Sequence, residues 1–454
     1  MNPGVLERID TLIPEIEPDM IADRRDFHRF AEAGWTEFRT ASRIARRLKT
    51  LGYDVSTGRS VCRDETRMGL PSPEEIETHW QRAHAEDGDP EFLESMHGGF
   101  TGVVGRLRNG VGPTLGLRFD IDALGVSESA ESSHRPVSEG FASIHPGVMH
   151  ACGHDGHAAT GLGLARLFSE MRDMISGTLV LVFQPAEEGV RGARSMVEAG
   201  VLDDVDHMVG HHLMTGVATG EIIPGMGGYA ATRKLDVEIL GAPAHAGGSP
   251  EAGRNALLAA ATAVLNLHAL PRHRDGFTRI NVGQIRAGTG RNVIPDRARL
   301  VAEVRGETSA LCDSMYERAI RVIEAAATMH GCDSTVRPMG AAGTAESSPE
   351  LVSRVVSIAE SLGESVLEPL TKIGGSEDFT EMMLRIQQQG GQAVNIGIGA
   401  DRSGIRQGDA DRSAILGAHT SVYDFDEQAL RHAMRLLSLL AVDLLDDPSG
   451  TPSG

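Results

Sequence analysis

Cysteine is scarce. Cys62, Cys152, Cys312 and Cys332 are four residues in 454, too scattered for a disulfide framework, and a reduced, cytoplasmic setting is the expectation. Positive charge is short as well: 43 Lys and Arg stand against 63 Asp and Glu, for a formal net charge of −20. Such a surface repels nucleic acid and anionic membranes, so neither is an expected partner. An anionic small molecule stays open as a substrate, because local arginines can dominate a cleft. No window of about 18 apolar residues is present to span a bilayer. The opening run MNPGVLERIDTLIPEIEPD lacks the apolar core of a secretory signal.

What remains is an ordinary globular composition, 41% hydrophobic and 23% charged, which argues against wholesale disorder. The length points to two domains or more. Residues from about Pro18 to Leu51 read as helix, with a glycine stop at Gly52. The polar stretch 58–98 reads as an inserted helical excursion or loop. Apolar runs at 114–119, 178–183 and 207–212 then read as strands, with helices predicted at 159–171 and 193–200. This alternation predicts an α/β fold with a largely parallel sheet. The middle differs. Strand patterns at 234–241, 280–288, 298–307 and 332–339, with helices at 255–270 and 314–331, give the order β-α-β-β-α-β of a ferredoxin-like unit. The expectation is a discontinuous larger domain, 1–228 and 341–454, interrupted by a smaller α+β domain at 229–340.

Polar clusters follow the apolar runs, and in open α/β sheets ligands bind beyond the carboxyl ends of strands. The densest is MHACGHDGH, which carries His150, Cys152, His154, Asp155 and His157 within eight positions, loosened by Gly153 and Gly156. Thiolate and imidazole are ligands that zinc and similar divalent ions accept, and a loop lets Cys152 and His154 converge on one ion. A histidine-rich helix cap is the bland alternative. In QPAEEG, Glu187 and Glu188 are adjacent carboxylates that repel each other unless a cation is near. With one, a carboxylate can ligate while its neighbour takes a proton from bound water. His211 and His212 close a predicted strand, and His419 precedes the last predicted helix. In the middle unit, His245 in GAPAHAGGSP and Asn292 in GRNVIPD are donors suited to an oxyanion or a carboxylate.

Together LRFDIDAL, MHACGHDGHAA, FQPAEEG, AHAGGSPEAGRNAL, GRNVIPD and HTSVYDFDE resemble the motifs of the M20 metallopeptidase family, in its amidohydrolase branch, over nearly the whole chain and in order. Within that branch RRDFHRFAEAGWTEFRTA, TRMGLP, GGFTGVV, SHRPVSEGFAS and GSED resemble the members that cleave aroyl-glutamates. The resemblance implies a di-metal catalytic domain with an inserted lid that also dimerises. It implies two divalent ions, manganese or zinc, held by Cys152, His154, Glu188, His212 and His419, with Arg118 standing where other branches carry a ligand histidine. It assigns Glu187 as general base, and His245 (reaching across a homodimer) with Asn292 as oxyanion donors. Asp120 would orient a ligand, and Arg305 and Ser376 would contact substrate. A related second subunit is also implied. The implied reaction is hydrolysis of the amide of an N-acyl amino acid, such as p-aminobenzoyl-glutamate. Two rivals share the site: hydrolytic deamination of an activated arylamine such as 5-nitroanthranilate, motivated by an extra loop at 399–417, and metal binding without catalysis.

Overall fold

The computed structural model describes residues 3–372, 374–401 and 417–446. Its strands, in chain order, are β1 (Asp54–Thr57), β2 (Val103–Asn109), β3 (Thr114–Asp120), β4 (Gly177–Gln184), β5 (His207–Ala218), β6 (Glu221–Ile223), β7 (Ala231–Leu240), β8 (Thr278–Ala287), β9 (Arg297–Gly306), β10 (Asp333–Ala342), β11 (Ser365–Val366) and β12 (Gln392–Asp401). They form two sheets. The larger runs β1-β2-β4-β3-β5-β12-β6-β11 and the smaller β10-β7-β9-β8.

The larger sheet is mixed rather than largely parallel. Its centre, β4-β3-β5-β12, is parallel, whereas β1-β2, β2-β4 and β12-β6 are antiparallel. Period-2 alternation along β4 explains how both faces are buried. Leu179, Leu181 and Phe183 pack on the long helices Pro3–Arg29, His154–Glu170 and Gln428–Leu445, and Val180 and Val182 pack on the short helices Ala193–Glu198 and Phe379–Gln388.

The first helix begins at Pro3, well before the predicted start, and carries Pro14 and Pro18 inside it. Proline costs an intrahelical hydrogen bond, but Ile9, Leu12, Ile13, Ile16 and Met20 from the same helix are fully buried, and that packing decides. Segment 58–98 contains two helices with their own caps. Ser72 and Glu75 form a capping box on Pro73–Ala85, and the Asp89 side chain accepts from the Glu91 amide at the start of Pro90–Met96.

The smaller sheet is antiparallel throughout, and its two helices, Ala256–His268 and Ser309–Met329, cover one face. Leu235, Val237, Ile239, Leu300, Ala302 and Val304 pack against them. Residues alternating with these, Lys234, Asp236 and Glu303, line a cavity of about 460 Å³ shared with Glu188. Among the described residues no helix is long and apolar enough to cross a membrane.

Candidate active site

Four features of the larger sheet converge. Strand β3 ends at Asp120, with Asp122 just beyond; β4 ends at Gln184 and leads into Glu187 and Glu188; His212 lies on β5; and a loop returns His419 before the last helix. Strand β5 continues past the predicted end to Ala218, so His211 and His212 sit within it and their side chains point to opposite faces. His211 packs edge-on to Phe119, while His212 joins the polar cluster. The helix carrying His154 starts earlier than predicted. Gly153, at φ +94°, makes the left-handed turn that places Cys152 before the first helical turn and His154 in it.

The segment that presents Glu187 and Glu188 is held from below by three buried acidic side chains. Glu37 Oε1 accepts from the Ala186 amide at 2.8 Å. Asp122 accepts from the amides of Glu187 and Glu188 at 3.0 and 2.9 Å. Asp378 Oδ2 accepts from Gly192 and Ala193 at 3.0 and 2.9 Å. Ala186 and Val190 take positive φ of 50° and 59°, a conformation that costs roughly 1–3 kcal/mol each and persists where the surroundings enforce it.

Two groups of donors meet at Cys152. In one, Cys152, His154 and His212 have donor atoms within 4.8 Å of one another; in the other, Cys152, Glu188 and His419 do. The imidazoles are oriented by backbone. His154 Nδ1 donates to Asp122 O at 2.9 Å and His212 Nδ1 donates to Leu213 O at 2.8 Å. Each Nε2 therefore turns a lone pair towards the cluster, and His212 Nε2 is 3.4 Å from Cys152 Sγ. Glu188 Oε1 is buried without a well-aligned donor, with His419 Nε2 at 3.4 Å. Soft, borderline and anionic donors facing one another fit a pair of divalent ions. Without a cation the cluster charges itself. Burial alone would raise the Cys152 thiol, but His212, His154 and His419 hold it well below its usual range, and His419 is pushed up to about 10 by the neighbouring Cys152 and Glu188.

His157 sits beside the cluster, but both its nitrogens are committed, Nδ1 to Asp120 Oδ1 at 2.5 Å and Nε2 to the Leu213 amide at 2.9 Å. Burial holds it neutral, with its pKa lowered to about 4. Asp120 Oδ2 also accepts from Arg118 Nη1 at 2.7 Å. Glu187 is buried beside Glu377 and Asp378; burial and then the charges of Glu377 and Glu188 raise its carboxyl well above the usual range.

A cavity of about 280 Å³ is lined by Cys152, Glu187, Glu188, His212 and His419 from the larger sheet, by Arg305 and Lys234 from the smaller, and by Ser376 and Glu377. The Ser376 hydroxyl is committed to Ala230 O at 2.8 Å. His245 and Asn292 lie together, the Ala246 amide donating to Asn292 O at 3.0 Å, but both are exposed on the smaller unit and line none of this cavity. Glu37 and Lys234 carry no local motif signal as site residues, and Glu377 and Asp378 lie in the GSED run, where the resemblance points only to Ser376. The only trace of Glu37 was its place in a quoted motif.

The family model for peptidase family M20/M25/M40 matches residues 116–433. The chain belongs to this family. This M20 chain is therefore a hydrolase of carbon–nitrogen bonds. It is 45% identical to indole-3-acetyl-aspartic acid hydrolase of Enterobacter agglomerans, over 96% of this chain and 98% of that one. It is 42% identical, with the same coverage, to one of the subunits of p-aminobenzoyl-glutamate hydrolase from Escherichia coli strain K12. The crystal structure of an aminobenzoyl-glutamate utilization protein from Klebsiella pneumoniae superposes with a TM-score of 0.81 at 39% identity, covering 96% of this chain and 98% of that one.

Proposed function

We propose that this M20 hydrolase cleaves the amide of N-acyl amino acids, with aroyl-glutamates such as p-aminobenzoyl-glutamate as its substrates. The observation that carries the reading is the pair of donor triads sharing Cys152 beside Glu187, whose Oε2 lies 3.9 Å from His154 Nε2. Cys152, His154 and His212 would hold one divalent ion, and Cys152, Glu188 and His419 a second, manganese or zinc. When bound, the ions supply Lewis acidity to the scissile carbonyl and an acidified water. Glu187 takes the water's proton and returns it to the leaving nitrogen. Asp122 and Glu37 keep Glu187 aimed at the cavity, and Asp120 with Arg118 fixes His157 behind the cluster.

Residues 229–340 act as a ferredoxin-like lid and dimerisation domain on a catalytic domain formed by 1–228 and 341–454. In a homodimer, the exposed His245 and Asn292 are free to serve the partner's oxyanion. A related second subunit in the assembly is a further expectation, supported by the subunit designation of the Escherichia coli relative. The arylamine alternative has no observation in its favour, since the 399–417 loop that motivated it lies mostly outside the described residues.

The test is mass-spectrometric product analysis on protein stripped with a chelator and reloaded with manganese or zinc. Glutamate plus p-aminobenzoate from p-aminobenzoyl-glutamate, lost on stripping and restored on reloading, is the expected result. Ammonia and a hydroxylated ring from 5-nitroanthranilate, with the amide left intact, overturns it.

A further inference from the structure

The smaller sheet sends two cations into the cavity that holds Glu187 and Glu188, and they are not equivalent. Arg305 is already spent: Nε and Nη2 donate to Glu303 at 3.1 and 3.2 Å, and Nη1 donates to Gly374 O at 3.2 Å. Lys234 sits on β7 directly opposite Glu303 in the register with β9. Its ammonium makes no hydrogen bond and no ion pair among the described residues, although it is half-buried. It also lines the larger cavity, with Arg191, Asn281 and Glu188. Arg191 there is tied to the backbone at Glu188 O and Gly69 O, at 2.7 and 3.0 Å.

A cation withdrawn from water without a partner is costly, and a charge-assisted hydrogen bond from a ligand carboxylate removes that cost. We infer that Lys234 receives the side-chain carboxylate of the leaving amino acid, and that the enzyme thereby selects amides of dicarboxylic amino acids over their neutral analogues. The geometry sets the order of parts. The scissile carbonyl lies at the Cys152–Glu188 cluster with Glu187 beside it, and the amine half of the substrate runs towards the smaller sheet, where Lys234 closes the wall. Burial, with the nearby Arg305, lowers the lysine's pKa, and the charges of Glu187, Glu303 and Glu188 oppose that. The inference rests on the amide-hydrolase reading above.

The experiment compares kcat/KM for p-aminobenzoyl-glutamate and p-aminobenzoyl-glutamine, which differ only in the side-chain carboxylate. Wild type is expected to prefer the glutamate by about 10- to 100-fold, the worth of one charged hydrogen bond. Lys234→Met should abolish that preference through KM, and Lys234→Arg should retain most of it. Calorimetric binding of p-aminobenzoyl-glutamate to the Glu187→Gln protein, with and without Lys234→Met, should show a matching loss of affinity. A preference unchanged by Lys234→Met, or no preference in wild type, overturns the inference and leaves amide hydrolysis standing. Wild type that cleaves neither compound overturns both.

Discussion

At the scale of single residues, the site separates groups that would touch substrate from groups that hold them. Glu187 has no hydrogen-bond duty of its own side chain in the clamp beneath it, whereas Glu37, Asp122 and Asp378 are all occupied with backbone amides. Glu187→Gln should therefore keep its metal, measured by elemental analysis, while kcat falls by about 10²–10⁴, the usual worth of a general base; near-normal turnover would remove Glu187 from that role. Glu37 is a positioning residue, and its two variants should differ. Burial and the neighbouring Asp122 raise its carboxyl to about 8, so it is largely protonated at neutral pH. It accepts from the Ala186 amide at 2.8 Å and from Thr101 Oγ1 at 2.6 Å. A glutamine is a neutral group of the same shape that keeps the acceptor for Ala186, and the Thr101 hydroxyl can rotate to accept from its amide. Glu37→Gln should be close to wild type in kcat and melting temperature. Glu37→Ala strands a buried amide and should lose about 1–3 kcal/mol of stability, with kcat reduced alongside. Equal damage in the two variants would contradict a neutral Glu37. The ligand candidates were legible because they lie in short, chemically dense runs such as MHACGHDGH. Glu37 and Lys234 were not, because each draws its meaning from residues distant in the chain.

At the scale of elements, the helices around the large sheet are joined by one ionic knot. Arg24 is fully buried on the first helix and bonds Asp155 at 2.9 Å, Asp424 at 2.8 Å and Glu427 at 3.2 Å. Arg135 bonds the latter two from another side, at 2.5 and 2.8 Å. The knot ties the helix that starts at His154 to the loop that carries His419 into the last helix. Burial would raise the carboxyls of Asp424 and Glu427, but Arg135 and Arg24 lower the first, and Arg25, Arg24 and Arg135 lower the second. The sign follows from linkage. A carboxyl with a depressed folded pKa stabilises above its unfolded value and loses that contribution as pH falls through the folded one. Melting temperature should hold down to the ordinary carboxylate range and drop steeply below about pH 4.5. The double variant Asp424→Asn/Glu427→Gln should lose about 3 kcal/mol near neutrality, because Arg24 is left buried and under-paired, and its melting temperature should depend less on acid. A parallel pH profile for the two proteins would place the acid sensitivity elsewhere. Helix and strand identity was readable from periodicity, but extent was not. The first helix reaches back to Pro3 and β5 runs on to Ala218 because tertiary burial and pairing with β12 extend them past their local signals.

At the scale of the whole molecule, the candidate metal-binding cluster and the oxyanion candidates lie on different units. Cys152, Glu187, Glu188, His212 and His419 face a cavity beyond the parallel centre of the large sheet, while His245 and Asn292 sit exposed on the smaller unit, away from that cavity. The order β-α-β-β-α-β was legible because each of its elements carries a clean period. The mixed edges of the large sheet were not, because strand direction depends on how the chain returns rather than on composition. The separation leaves a sharp question about assembly. If His245 serves the partner's site in a two-fold dimer, two inactive proteins should complement each other. Glu187→Gln supplies a sound His245 but a dead base, and His245→Ala supplies the reverse. A mixed dimer then contains one site in which the base comes from one protomer and the histidine from the other. Equal amounts of the two, dissociated and reassembled at random, should recover about a quarter of wild-type turnover per site, since half the dimers are mixed and each mixed dimer has one complete site. If the mixture stays inactive while gel filtration shows mixed dimers, His245 acts within its own chain, and the smaller unit must close far enough to bring it there.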